Sequence, residues 1–216
     1  MGTEIERKFL VPGDFPKGNK SHSIKQGYIT EGTLTLSDST LTIHDTSNRV
    51  LYALDVKSDA DGIRGDMRVD DSGELHLDDK HVARIRIRDN EGFITLKGSP
   101  VGLSTPEYEY QIPHTTGDML LNRLTSGYIH KIRHIVPYGG KVWEVDEFLS
   151  PVSMVLGEVE LSSPDEHVLL PDWVGKEVTG DSEYFNSTIA KRIDAHVGKM
   201  AKDQSSHDFV GIYLNS

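Results

Sequence analysis

Charged residues occupy every second position in the opening stretch Glu4-Ile5-Glu6-Arg7-Lys8-Phe9-Leu10. In a β-strand that spacing puts Glu4, Glu6 and Lys8 on one face, with Ile5 and Phe9 on the other. Alone, such a segment reads as a strand with its polar side in water. The alternation recurs, however, at Arg84, Arg86 and Arg88, at Lys97, at Glu107 and Glu109, at Lys131 and Arg133, at Glu144 and Asp146, and at Glu158 and Glu160. The intervening positions are mostly apolar or aromatic: Ile85, Ile87, Tyr108, Tyr110, Ile132, Val145 and Val159. Strands are therefore predicted at 4–10, 23–30, 82–88, 92–97, 106–112, 128–136, 141–148 and 155–161.

Three helices are predicted from caps and apolar stripes. One follows Thr116 and stops at Gly127, and one opens at Ser163-Pro164-Asp165-Glu166. The third begins after Asp181 and carries Phe185, Ile189, Ile193, Val197 and Met200 on one side. Between Glu31 and Lys80 short alternating runs are punctuated by Asp, Ser, Asn and Gly, as in hairpins. Residues 32–80 are read as a β-rich insertion, an elongated hairpin or small appendage outside the main body, with a lid or docking role as the alternative. On that reading a Gly/Ser linker in its place leaves a folded protein, because loops tolerate long insertions at modest entropic cost. The organisation is then one domain over 1–201, interrupted at 32–80, and a tail over 202–216.

The signs of the charges sort by strand. A solvated face usually mixes Lys, Glu, Thr and Ser, whereas most strands here carry one sign. Segregated signs make sense if the faces converge on one enclosed space. The fold class is accordingly α+β, mainly antiparallel β: an eight-stranded antiparallel β-barrel tunnel with flanking helices and the β-rich insertion. Seven lumen-facing cations and eight carboxylates leave a charge of -1, which two divalent metals would turn to +3, a receptacle for a compact polyanion. Carboxylate oxygens suit Mg²⁺, and arginine forks suit phosphate oxygens. The chemistry implied is metal-assisted phosphoryl transfer.

Composition narrows this further. The net charge is -11, and residues 31–80 hold 12 Asp and Glu against 5 Lys and Arg. That balance argues against a surface that grips a nucleic-acid backbone. No apolar run has membrane-spanning length and the N-terminus lacks a signal-peptide layout, so no membrane partner and a cytoplasmic location are expected. Zero cysteines exclude disulfides and thiolate metal sites. HExxH, G-x-x-x-x-G-K-[ST] and G-x-S-x-G are absent, so a polyanion site must be built from side chains.

Glu4-x-Glu6-x-Lys8 resembles the ExExK signature of the CYTH superfamily, the triphosphate tunnel metalloenzymes, and in particular the small bacterial inorganic triphosphatases. Further stretches follow in family order: KQGY at 25–28, RIR at 84–86, TLKG at 95–98, EYEY at 107–110, KIR at 131–133, WEVDEF at 143–148, EVEL at 158–161 and WVGKEVTGDSEYFNS near the C-terminus, with Glu183 where the family has Arg. The resemblance implies hydrolysis of a triphosphate with Mg²⁺ or Mn²⁺. It implies a principal metal on Glu4, Glu6 and Glu160, and a second metal or the attacking water at Glu158 with Glu109 or Asp146. Lys8, Arg84, Arg86, Lys97, Lys131 and Arg133 would grip phosphates, and Lys8 with Tyr28 would form a catalytic dyad, the ammonium easing proton loss from the phenol. Inorganic tripolyphosphate is the first substrate expected. Thiamine triphosphate or another organic triphosphate is the neighbouring option, followed by an adenylate cyclase, an RNA 5′-triphosphatase and a non-catalytic polyphosphate binder. The assembly is left open, a homodimer included.

Overall fold

Alternation does become strand where the sequence carries it. The computed structural model describes residues 5–99, 105–150, 152–163 and 165–191. Eight strands form one antiparallel sheet: β1 (Ile5–Leu10), β2 (Lys20–Ile29), β6 (Val82–Arg88), β7 (Glu91–Lys97), β8 (Glu107–Ile112), β9 (Thr125–Tyr138), β10 (Lys141–Ser150) and β11 (Met154–Leu161). Their order is β1-β11-β10-β9-β2-β6-β7-β8. Three more, β3 (Thr33–Ser37), β4 (Thr40–His44) and β5 (Val50–Asp55), form a small second sheet. Helix α1 (Ala60–Asp66) precedes β6, and α2 (His114–Leu124) joins β8 to β9.

The large sheet curls but does not close. Side chains from β1, β2, β6, β7, β9, β10 and β11 line a single cavity, yet β1 and β8 are both edges of the ladder. The expected barrel is thus an open one. Both edges present carboxylates on the concave face, Glu6 on β1 and Glu107 and Glu109 on β8, and like charges set opposite each other across a ladder are destabilising.

The lumen is also not charged throughout. Ile129, Phe148, Leu156, Val178, Ile189 and Ala190 form an apolar plug at one end, capped by the short 3₁₀ turn Ser182–Tyr184 and a helical segment over 186–191. The remainder of the predicted third helix, with Ile193, Val197 and Met200, lies outside the described residues, as does the tail. The helix predicted at Ser163 is not formed: the described residues 165–170 are a turn and irregular chain. There Glu166 folds back, its carboxylate accepting from the Ser162 N–H and pairing with Lys141 Nζ at 2.5 Å, instead of facing a helix N-terminus. Helix α2 starts at His114, two residues before the expected cap, with Pro113 leading in, and Gly127 belongs to β9.

The inserted segment is part of the core. Leu34, Leu36, Leu41, Ile43, Val56 and Ile63 belong to one buried cluster with Ile85, Ile87, Ile94 and Leu96, the convex-face residues of β6 and β7. Leu120, Leu121 and Leu124 of α2 join the same cluster. Burying each such side chain is worth about 1.5–3 kcal/mol, so residues 32–80 cover the apolar back of the arginine strands. Around the other half of the sheet the cover is a loop: Trp173 packs edge-on against Trp143 with ring centroids 5.5 Å apart, and Trp143 meets Phe9 at 5.6 Å. The glycine of KQGY is a packing requirement here. A Cβ on Gly27 would lie 2.9 Å from the Gly127 carbonyl oxygen and 3.0 Å from a Leu121 methyl, so only glycine lets β2 pass this close to α2 and β9.

Candidate active site

The register of the ladders decides which charges meet. Glu6 lies opposite Glu160 and Lys8 opposite Glu158 across β1 and β11, while Glu144 lies opposite Glu158 across β10 and β11. Arg84, Arg86 and Tyr28 share a face because β2 and β6 pair Tyr28 with Arg84 and Gln26 with Arg86. The result is a cavity of about 270 Å³ lined by Glu6, Lys8, Tyr28, Arg84, Arg86, Lys97, Arg133, Glu144 and Glu158, together with Asp79 from the insertion and Phe185, Asn186 and Ser187 from the C-terminal cap.

Most cations in it already have carboxylates. Lys8 Nζ is 2.9 Å from Glu158 and 3.5 Å from Glu6. Burial works against its charge, but these neighbours outweigh burial and raise the Lys8 pKa above the ordinary value. Arg133 bonds Glu144, reaches Asp146 at 2.7 Å and lies 3.1 Å from Glu158. Lys97 pairs with Glu107 at 2.9 Å, and Arg84 donates to Glu107 at 3.1 Å, to Glu109 at 3.2 Å and to Thr95 Oγ1 at 3.0 Å. Burial opposes the Glu107 charge, yet Lys97 and then Arg84 hold its carboxyl below the usual range.

Arg86 is the exception. Its Nε donates to Gln26 Oε1 at 3.1 Å, but among the described residues no carboxylate pairs with its guanidinium. Burial, together with the positive charges of Arg84 and Arg133, pushes its pKa down to about 10. Among the described residues the buried Nε of Arg84 has no hydrogen-bond partner. An arginine held in this way among like charges is uncompensated and suited to pairing with an anion.

Two expected site residues lie beneath the cavity and do not line it. Lys131 and Asp146 are fully buried and paired at 2.5 Å, with Lys131 also 5.4 Å from the centre of the Phe148 ring. Burial disfavours the Asp146 carboxylate, but Lys131 and Arg133 outweigh it and hold the carboxyl well below the usual range. Glu109 braces Arg84 and Thr95, and Glu160 is exposed at the rim across from Glu6. Glu4 lies outside the described residues. Tyr28 lines the cavity, but its phenol is not eased toward ionisation: burial pushes its pKa up, more than Arg84, the hydrogen bond from Gln26, Arg86 and Lys8 pull it down. Gln26, Thr95, Glu107, Glu144 and Asn186 also take part in this network. The period-two face contains the first four, and the sequence offers no physical signal for Asn186.

Glu6 opposite Glu160 and Glu144 opposite Glu158 are cross-strand pairs of like charge, which cost energy unless a cation lies between them. Arg133 serves Glu144 and Glu158; no Lys or Arg among the described residues pairs with the Glu160 carboxylate. Hard oxygen donors so placed fit a divalent cation such as Mg²⁺. Among the described residues no three acidic or histidine side chains already converge as a metal cluster. Beside the cavity, and sharing Tyr28, Asp79, Val82 and Ser187 with it, is a cleft of about 480 Å³ whose outer wall is the 74–79 stretch of the insertion.

A curled antiparallel sheet whose concave face holds acids and bases sorted by strand around one cavity defines a class of protein, and the chain belongs to it: the CYTH domain family, whose model matches residues 69–192. Among its relatives, a protein of Acetivibrio thermocellus named inorganic triphosphatase is 33% identical over 195 residues, covering 88% of this chain and 95% of the relative. One of the same name from Nitrosomonas europaea is 34% identical over 200 residues, covering 88% of this chain and 99% of the relative. The crystal structure of an inorganic triphosphatase superposes with a TM-score of 0.51 at 30% identity, over 88% of this chain and 95% of that one.

Proposed function

We propose that the protein hydrolyses the terminal phosphoanhydride of a triphosphate, with inorganic tripolyphosphate as substrate and pyrophosphate and orthophosphate as products, in the cytoplasm and with Mg²⁺ or Mn²⁺. The observation that carries this reading is Arg86, a half-buried cation facing the cavity with which no carboxylate among the described residues pairs. The names of the relatives support the reaction class. Arg86 and Arg84 would take phosphate oxygens through their forks, Lys8, Lys97 and Arg133 adding charge from the surrounding strands. Glu6 and Glu160, with Glu4, would hold the metal, and Glu158, held between Lys8 and Arg133, would accept the proton of the attacking water. Tyr28, kept protonated by burial, would donate a hydrogen bond to the polyphosphate. A bound divalent ion would polarise the phosphoryl oxygens and offset the charge that develops in transfer. Lys131 and Asp146 would act from below, by holding Arg133 in place.

The cleft beside the cavity favours a second reading, an organic triphosphate whose organic part rests against Leu75, Leu77 and Val82. Phosphate release from tripolyphosphate and from thiamine triphosphate, assayed with Mg²⁺ and with Mn²⁺ and then with chelator, separates the two. Absence of release from either substrate with both metals would remove the hydrolase reading.

A further inference from the structure

The cations on β6 and β7 depend on β8, which like β1 is an edge strand of the sheet. Among the described residues it has one hydrogen-bonded neighbour, β7, and no partner on its other side. Its concave face nevertheless carries Glu107 and Glu109, which orient Arg84 and Lys97. An edge strand with this task needs an anchor on its convex face.

That anchor is α1 of the inserted segment. The Tyr108 hydroxyl donates to Asp66 at 2.5 Å, and the Tyr110 hydroxyl donates to Asp59, the residue just before the helix, at 2.8 Å. The helix lies close enough to β8 that a Cβ on Gly62 would be 2.6 Å from the Tyr108 hydroxyl. Its end abuts the residue after Lys97 as well, where a Cβ on Gly98 would sit 2.4 Å from the Asp66 carbonyl oxygen. Burial, reinforced by Asp66 and Asp59, pushes both phenols well up, so the two hydroxyls remain donors over the whole working range of pH.

We propose that α1 is a positioning element for the anion site: by tying Tyr108 to Asp66 and Tyr110 to Asp59 it fixes β8, so that Glu107 and Glu109 hold Arg84 and Lys97 in the geometry that receives the polyphosphate. Asp59, Asp66, Tyr108 and Tyr110 are positioning residues that touch no substrate. This rests on the triphosphatase reading above, and it gives the insertion a role in substrate binding that neither a lid nor a passive appendage would have.

The test uses the full-length protein, tripolyphosphate and Mg²⁺ or Mn²⁺. Tyr108→Phe with Tyr110→Phe keeps both rings and removes both hydrogen bonds. The double variant is expected to raise KM by about five- to tenfold while kcat stays within about twofold, the signature of binding lost equally from ground and transition states. Asp66→Ala with Asp59→Ala should reproduce the change, and Asp66→Asn with Asp59→Asn, which keep an acceptor, should restore KM to near wild type. Asp45→Ala, in the distant β4–β5 turn where Asp45 accepts from Ser47 and Arg49, loosens the same insertion away from β8 and should leave KM unchanged. A folded Tyr108→Phe/Tyr110→Phe variant with wild-type KM, or an equal rise in KM for Asp45→Ala, would overturn the proposal. If the double variant does not fold, Tyr110→Phe alone, titrated with tripolyphosphate by calorimetry, reads the same effect through Kd: weaker binding than wild type is expected, and an unchanged Kd would overturn the proposal. Wild-type protein that releases no phosphate but binds tripolyphosphate would remove the hydrolase reading, and the calorimetric comparison would still decide the role of α1.

Discussion

Arg86 and the pair formed by Lys131 and Asp146 mark two fates for a charge inside this sheet. Arg86 faces the cavity and on the proposed reading binds phosphate, so Arg86→Ala is expected to raise KM for tripolyphosphate by about 10- to 100-fold, the range for a hydrogen bond to a charged group at about 1.5–3 kcal/mol, with little change in melting temperature. Lys131 and Asp146 neutralise each other out of reach of substrate, so Asp146→Ala should cost about 3–5 kcal/mol in a denaturant titration, because it leaves Lys131 buried and unpaired. Asp146 also sets an acid limit. Its carboxyl titrates lower in the folded protein than in the unfolded chain, so its contribution is fully present above the unfolded value of about 4 and is lost as pH falls through the folded value. Unfolding followed between pH 5 and pH 2 should steepen below about pH 4 in the wild type, more than in a folded Lys131→Met/Asp146→Leu variant. For Tyr28 the direction of its shift predicts that Tyr28→Phe lowers kcat without altering the shape of the pH–rate profile below about pH 9; a lost basic limb within that range would show that the phenol titrates during turnover.

At the scale of elements, the insertion changes what a deletion should do. Its Leu41, Ile43 and Ile63 are fully buried against the backs of β6 and β7. Ile63→Ala is therefore expected to cost about 2–5 kcal/mol by thermal or denaturant unfolding. Replacing 32–80 by a Gly/Ser linker should give protein that aggregates or binds hydrophobic dyes, because Ile85, Ile87, Ile94 and Leu96 lose their cover; a soluble, cooperatively melting deletion would count against this. The eight strands and the identity of their concave faces were legible in the sequence, since a period of two fixes which residues share a face. What Thr33-Leu34-Thr35-Leu36 packs against was not, because alternation reports that a face is buried and is silent about its partner. Helix α1 was hidden for another reason: Ala60-Asp61-Gly62-Ile63-Arg64-Gly65-Asp66 has two glycines and two interior or terminal aspartates, poor helix formers that tertiary contacts at Ile63 and the two tyrosines override. The gap between β1 and β8 and the depth of Lys131 are set by curvature and register, which one strand read at a time does not contain.

Taken whole, the molecule holds a cavity in which most cations and acids pair with one another, so on the triphosphatase reading ligand and metal should stabilise it together. Tripolyphosphate with Mg²⁺ at about 100 times Kd would add about 2.7 kcal/mol, or roughly 5–10 °C in Tm for a chain of this size. Either component alone should give less than half the shift in a thermal scan, since the anion without the metal leaves Glu6 and Glu160 facing each other and the metal without the anion leaves Arg86 unpaired.

The position of β1 at the edge of the sheet has a consequence for biosynthesis. Its ladder partner is β11, about 150 positions later in the chain, and it is clamped further by the backbone bond from Val178 to the Lys8 carbonyl and by the Arg7–Glu177 ion pair at 2.6 Å. At translation rates of about 5–20 residues per second, β1 leaves the ribosome roughly 8–30 seconds before its ladder partner. The segments that can collapse early, β3 to β5 with α1 and then β6 to β8, are those that build the arginine wall. A nascent chain arrested before β11 should therefore already protect the amides of β6 and β7 from exchange while those of β1 remain open, and the carboxylate side of the cavity would be assembled last.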